Sequence, residues 1–459
     1  MPHPALNTPL VELLGCRVPI ICAGMGGVAR HELVAAVSNA GGFGCLGMVR
    51  EPVALIRREV AAYRELSHEP FAVNLIPAAT PAELLEAQVA VCLELRVPAV
   101  ALFWDVRADV VRRFKDAGML VLHQVGNRAD AEAALRAGVD VLIAQGVEAG
   151  GHVRGQVSTF ALVPELVALG EVPVVACGGI ASGAAIAAAL ALGAQGVACG
   201  SAFLATDESY AHDYHKRCLV EAEAEQTLLT EAFFRNWPMP ASVRVLPNAV
   251  TRGDYANLHE RRETPVIGEQ DGGPIYLFST DSPLRGAYGR LEDMPIYAGQ
   301  SCAQLHDIRP AAERLAQLVA EADACLARLQ GGDEDADLVD WLQELLSAER
   351  AGARVMLDSA RQTEDPRLLE RLHALHQGEA ESCRRLRRSL QRLGAEPGRE
   401  LGAFHAKAMA IEEMAERLRF VARGQRWVAR RLAQRLPRIR QAWLREELRA
   451  VLRLHRDDA

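Results

Sequence analysis

The residues of this chain that could do chemistry gather in short glycine-rich runs. The richest is Gln145-Gly146-Val147-Glu148-Ala149-Gly150-Gly151-His152. Paired glycines let a backbone pass close to a flat ligand, and the histidine after them is a candidate general base. The competing reading of His152 is a loop histidine bonded to backbone. Cys177-Gly178-Gly179-Ile180 and Gly200-Ser201 offer backbone N–H groups in the manner of a phosphate cradle, or else mark tight turns. Ala23-Gly24-Met25-Gly26-Gly27, Asn74 and His123-Gln124 form a third set. Amide side chains both donate and accept, as the edge of a heterocyclic ring requires. Singly, Asn74 reads as a turn residue and Met25 as core packing. Their recurrence at successive strand ends is what gives them weight.

Such residues need a scaffold that brings distant loops together. The first half of the chain alternates short apolar runs with helical patterns. Strands are expected at 20–23, 43–46, 72–75, 100–103, 121–124, 141–144, 174–176 and 197–199. Each is apolar throughout, like a strand covered on both faces. Helices are expected at 31–39, 53–66, 81–95, 108–117, 128–137, 160–169, 182–192 and 208–222, with Gly118, Gly138, Gly170 and Gly193 where helices stop. Eight strand–helix pairs predict an α/β fold, a (β/α)8 TIM barrel, over the rival open doubly wound sheet. The glycine–histidine run then leaves strand six, and the phosphate-type loops leave strands seven and eight. All reach the C-terminal rim, where barrel active sites are built. A phosphate held there, with no G-x-G-x-x-G fingerprint, points to FMN or a phosphosugar.

Composition narrows the class. The chain has 459 residues, half of them apolar and 24% charged, which is long for one domain and too balanced for disorder. A net charge of −8 argues against nucleic-acid binding along the whole length. No apolar run has the pattern of a membrane span, and the opening Met1-Pro2-His3-Pro4 does not read as a secretion signal. Ten singly spaced cysteines suit reduced thiols, so a cytoplasmic protein is expected.

Residues 228–302 break the strand–helix rhythm with seven prolines and are expected to form a loop-rich cap over the barrel mouth. A helix near 310–329 and a Gly331-Gly332 linker follow, placing domains at 1–330 and 331–459. From Asp337 the pattern is wholly helical. Leu338, Trp341, Leu342 and Leu345 make one stripe, and Asp365-Pro366 reads as an N-cap with proline at the first helical position. A third helix over about 401–432 and a fourth opening at Pro437 complete an all-α four-helix bundle. Between Arg384 and Arg456 stand 20 Arg and Lys against 7 Asp and Glu. They are read as solvated outer faces, with an anionic partner such as RNA or an acidic protein surface as the other reading.

The glycine-rich runs also carry a resemblance. Pro19-Ile20-Ile21 with Ser38-Asn39-Ala40-Gly41-Gly42-Phe43-Gly44, then Phe71-Ala72-Val73-Asn74-Leu75, the glycine–histidine run, and Ser201-Ala202-Phe203-Leu204-Ala205-Thr206-Asp207-Glu208-Ser209 resemble four successive motifs of the nitronate monooxygenases. Met294-Pro295-Ile296-Tyr297-Ala298-Gly299-Gln300-Ser301 is similar to the family's late flavin-contacting stretch. The resemblance implies an FMN-dependent barrel that oxidises alkyl nitronates or nitroalkanes with O2, giving a carbonyl compound and nitrite. It implies that Met25, Asn74, Gln124 and Gly151, with Gln145 beside them, hold the flavin ring and ribityl chain. Gly178, Gly179, Gly200 and Ser201 would hold the phosphate, Gln300 would close over the flavin, and His152 would be the catalytic base. Gly24 stands where the family commonly has proline, Ser201 where it has threonine, and His123-Gln124 matches one branch. These departures leave the substrate open. An FMN- and NAD(P)H-dependent enoyl-acyl-carrier-protein reductase is the alternative, and Gln145 leans against it, because those enzymes tend to carry an acidic residue there. A second alternative is a weak flavin binder whose tail is an interaction module. That tail is loosely similar to ferritin-like bundles, but Glu349, His376, Glu379, His405, Glu413, Glu446, Glu447 and His455 do not complete the E-x-x-H pairs of a di-metal site. It is expected to be metal-free and to serve docking, homo-oligomerisation or contact with a protein partner.

Overall fold

The computed structural model describes residues 3–330, 332–439 and 441–457. They form two compact units, 1–326 and 327–459. The first is built on eight parallel strands: β1 (Ile20–Cys22), β2 (Gly44–Gly47), β3 (Phe71–Leu75), β4 (Ala99–Phe103), β5 (Leu120–Val125), β6 (Val141–Gln145), β7 (Val174–Cys177) and β8 (Gly196–Cys199). The sheet runs β1-β8-β7-β6-β5-β4-β3-β2. The ring closes between β1 and the entry to β2, where Cys22 N–H donates to Phe43 O and Phe43 N–H donates to Ile20 O, both at 2.9 Å. Every expected strand is present, with ends shifted by no more than a residue.

Strand alternation sorts the side chains. Ile21, Phe43, Ala72, Leu122, Ile143 and Ala198 fill the barrel interior, while Ile20, Val73, Val100, Val121 and Val197 pack outward against the helices. Each large apolar side chain buried this way contributes roughly 1.5–3 kcal/mol. Helices α1 (His31–Ala40), α2 (Val53–Leu66), α3 (Ala82–Leu95), α4 (Ala108–Asp116), α5 (Arg128–Ala137), α6 (Thr159–Val167) and α7 (Gly183–Ala191) follow the first seven strands. Asn127 and Ser182 cap the starts of α5 and α7 through their side chains. Gly118, Gly138, Gly170 and Gly193 all take positive φ, between 70° and 94°, at helix ends.

One expectation about this unit is corrected and another is refined. The eighth helix is not continuous over 208–222. A short helix, Ser201–Leu204, follows β8 directly, and α8 (Asp213–Val220) comes later. The cap is not merely loops. Strands β9 (Leu228–Thr230) and β10 (Val243–Val245) form one small antiparallel sheet, and β11 (Val266–Gln270), β12 (Gly273–Tyr276) and β13 (Tyr288–Gly289) form another. Apolar Val243, Val245, Ile267, Ile275, Leu277 and Phe278 give the cap its own core, although the prolines hide strands this short from periodicity. Helices α9 (Ala311–Gln330) and α10 (Gly332–Ala360) flank the expected linker, of which Gly331 lies outside the described residues.

The second unit is all helical: α10, α11 (Pro366–Arg392), α12 (Phe404–Met409), α13 (Met414–Arg435) and α14 (Ala442–Asp457). Asp365 caps α11 by accepting from Arg367 N–H, with Pro366 at the first position. Leu338, Trp341, Leu342, Leu345, Leu386, Leu390, Val428, Leu432, Leu448 and Val451 make its main core. The third expected helix is broken after Met409 and restarts at Met414, where the Arg417 guanidinium donates to Ile411 O at 2.7 and 3.0 Å. The fourth starts at Ala442, five residues past Pro437, which sits in a 3-10 turn. Among the described residues no helix is long and apolar enough to cross a membrane, and no group of three His, Cys, Asp or Glu side chains is arranged to hold a metal ion.

Candidate active site

The C-terminal mouth of the barrel opens into a cavity of about 940 Å³. Met25, Asn74, Gln124, Gln145, Gly151, His152, Gly178, Gly179, Gly200 and Ser201 all line it, although they come from the ends of six different strands. Gln300 does not. The neighbouring Gly299 and Ser301 line the cavity instead, and Gln300 N–H donates to Glu148 O at 3.0 Å.

Hydrogen bonds explain how the glycine–histidine run is held. The Glu148 carboxylate accepts from Thr159 N–H and Oγ1 at 3.0 Å, tying the loop to the start of α6. Gln145 is buried and its amide is spent on the loop: Nε2 donates to His152 O at 2.8 Å, and Oε1 accepts from Arg154 N–H at 3.1 Å. Gly151 and His152 form a two-residue strand that pairs with β10, in register Gly151 with Arg244 and His152 with Val243. The Arg244 guanidinium returns to Val147 O at 2.8 Å. A side chain at Gly150 would place its Cβ 2.5 Å from Gly299 N, so the loop and the late segment touch backbone to backbone. Gly299 N–H in turn donates to Ser201 Oγ at 3.1 Å. Three stretches distant in sequence are thereby laced around one opening.

His152 stands in an aromatic enclosure. Trp237 stacks on its ring with centroids 3.6 Å apart and planes 17° off parallel. Trp104 meets it edge-on at 6.3 Å, and Tyr297 is tilted at 6.2 Å. The Nε2 atom is buried with no hydrogen-bond partner. Burial, with the Arg50 charge nearby, pushes the imidazole pKa down to about 3, so the ring is neutral across the physiological range. Trp104 takes φ 76°, rare for a bulky residue, and its Nε1–H donates to Met239 Sδ at 3.2 Å. Arg50, also at positive φ, pairs with Asp281 at 3.1 Å on the cavity wall.

The glycine loops line the same cavity, with Gly178 packed against Gly146 and Ala149 of the glycine–histidine run. Gly178 and Gly179 take φ 100° and 75°, and Gly200 immediately precedes the short helix at Ser201–Leu204. Asn74 donates through Nδ2 to Ala101 O at 3.0 Å, while its Oδ1 is buried without a donor.

Sequence reasoning missed Arg50, Trp104, Trp237 and Tyr297. Trp237 lies in the proline-rich cap, where no periodicity marks it. The one available signal was Trp104, a scarce aromatic standing directly after the predicted strand 100–103.

Residues 7–321 match the family described as nitronate monooxygenase. Residues 336–459 match a domain of unknown function, DUF6306. The nitronate monooxygenase of Paraburkholderia phytofirmans is 33% identical over 367 residues, spanning 70% of this chain and 96% of that protein. Among solved structures, FabK from Thermotoga maritima superposes with a TM-score of 0.61 at 30% identity, over 71% of this chain and 99% of that one. A nitroalkane oxidase from Streptomyces ansochromogenes gives 0.57 at 28% identity, over 70% and 99%.

Proposed function

The chain belongs to the nitronate monooxygenase family and is a flavin oxidoreductase, and from that premise we propose that it holds FMN in the barrel mouth and oxidises alkyl nitronates or their parent nitroalkanes with O2 to a carbonyl compound and nitrite. One observation carries the reading: a neutral, enclosed imidazole and the glycine loops of β7 and β8 line a single cavity.

The residues present fit FMN. Asn74 Oδ1 is a buried acceptor in need of a donor, which a ring N–H of a bound flavin could supply. Gly178, Gly179, Gly200 and Ser201 occupy the loops after strands seven and eight, with a short extra helix, the arrangement that holds phosphate in many barrels. Met25, Gln124 and Gly151 line the space between. Gln145 acts at one remove, by fixing the His152 loop.

FMN, when bound, supplies the electron acceptor that passes electrons on to O2. The chain's own residues do the rest. The neutral imidazole of His152 is in the protonation state that accepts the α-proton of a nitroalkane. The Arg50 guanidinium, on the same cavity wall, favours the nitronate anion that results. Trp104 and Trp237 exclude water from the proton-transfer site. The purified protein is expected to show an oxidised-flavin spectrum and to release nitrite from a nitronate in air. Rapid flavin bleaching by NADH without nitrite release would replace this reading with the enoyl reductase.

A further inference from the structure

A second cavity, of about 370 Å³, lies within the helical unit, between α10 and α11 and beside the segment that joins α11 to α12. Arg350 and Arg354 on α10, His376, Arg384 and Arg387 on α11, and Arg399 on the joining segment line it, and no carboxylate does. Its remaining lining is small and apolar, including Leu357 and Ala380, with half-exposed Leu401 at the rim.

The charge is poorly balanced. Asp358 pairs with Arg354 at 2.9 Å and Glu381 with Arg384 at 2.8 Å, both from outside the cavity. Among the described residues, Arg350, Arg387 and Arg399 form no ion pair. Arg350 is spent on a carbonyl, donating to Gly398 O. The nearest buried carboxyls do not make up the deficit. Glu349 and Glu379 lie in the bundle core, where burial raises both pKa values, Glu349 to about 7. Glu349 is engaged with His455 at 2.9 Å and not with the guanidiniums.

The site is also built. Gln343 clamps the joining segment, donating to Glu396 O at 2.7 Å and accepting from Gly398 N–H at 2.8 Å, which fixes the base of Arg399. Guanidiniums lining one groove repel one another unless an anion sits among them, and their planar forks match phosphoryl oxygens. The volume is at the small end for an organic ligand. No Phe, Tyr or Trp side chain lines the cavity, so it lacks the large stacking platform that single-stranded nucleic acid commonly uses.

We propose that this groove binds a small organic phosphate, its phosphoryl group among Arg350, Arg387 and Arg399 and its apolar part against Leu357, Ala380 and Leu401. The site is separate from the flavin cavity and does not depend on the activity proposed above.

The test is calorimetric titration of the full-length flavin-loaded chain, in phosphate-free low-salt buffer, with butyl phosphate, inorganic phosphate and an oligonucleotide. Butyl phosphate is expected to bind more tightly than inorganic phosphate. Arg387→Glu and Arg399→Glu should each weaken it at least tenfold while leaving the flavin spectrum and turnover unchanged. No heat from butyl phosphate, or equal binding by both variants, overturns the proposal. So does binding of the oligonucleotide alone. Sedimentation with phosphatidic acid vesicles, with no heat from butyl phosphate, assigns the cationic groove to a membrane surface and overturns it equally.

Discussion

Trp237→Ala tests whether the enclosure sets the chemistry of His152. The ordinary imidazole pKa is 6.5, and burial together with the Arg50 charge takes it to about 3. A shift of that size is a bias on the order of 4–5 kcal/mol toward the neutral ring. Trp237 covers one face of the ring at 3.6 Å, so its removal admits water to the group that burial protects. If the ordinary value is fully restored, roughly 3% of the ring stays neutral at pH 5, and nitroalkane turnover there falls on the order of 30-fold, with little change at pH 8. Partial re-solvation gives a smaller loss in the same direction. The assay is the pH profile of kcat/KM for a neutral nitroalkane between pH 4 and 8, with flavin content measured on each sample. Trp237→Phe keeps a stacked ring and should keep the parent profile. A Trp237→Ala enzyme that retains its flavin and shows the parent profile refutes the argument, as does one whose loss is the same at every pH.

Other expectations follow from the same geometry. His152→Ala should stay yellow but lose turnover of neutral nitroalkanes by a hundredfold or more, with nitrite release as the measure. Gly179→Val places a branched side chain at φ 75°, and Gly200→Val puts bulk into the cavity, so each should weaken FMN binding at least tenfold in apoprotein titrations. In the helical unit, folding holds a proton on Glu349 that the unfolded chain releases near 4.5. Stability should therefore fall as pH rises from about 4.5 to about 7, by on the order of 3 kcal/mol. A Glu349→Gln, Glu379→Gln double variant should flatten that slope in calorimetric melts from pH 4.5 to 8, and an unchanged slope would place its origin elsewhere.

The barrel was legible in the sequence because its strands are buried on both faces and its helices end on glycines. Val141–Gln145 is apolar until the residue that reaches the rim, and Gly138 before it adopts the left-handed backbone that its position implied. The loops that line the cavity were legible for a related reason: their glycines permit a close backbone approach, as at Gly150, or a left-handed backbone, as at Gly151. What the sequence hid depends on side chains meeting across long separations. Gln145 looked like a ligand of the flavin, but both ends of its amide are bound by the loop that it precedes. Gln300 looked like a lid, yet its backbone is tied to Glu148 while its neighbours face the cavity. The stack of Trp237 on His152 joins residues 85 positions apart through a cap whose strands have two to five residues, too short for any alternation to register. In the helical unit, leucine spacing found the stripes but not the break after Met409, where Arg417 ties off the Ile411 carbonyl.

The pairing of His152 with Val243 has a mechanical consequence. His152, the proposed base, lies on a strand shared by the cap and the barrel rim, and Val153 N–H, donating to Ser242 O at 2.9 Å, extends the seam. Lifting β10 away from the mouth would drag the imidazole out of register, and Trp237, carried on the same flap, would leave with it. Any displacement of β10 would therefore move the backbone that carries His152 as well.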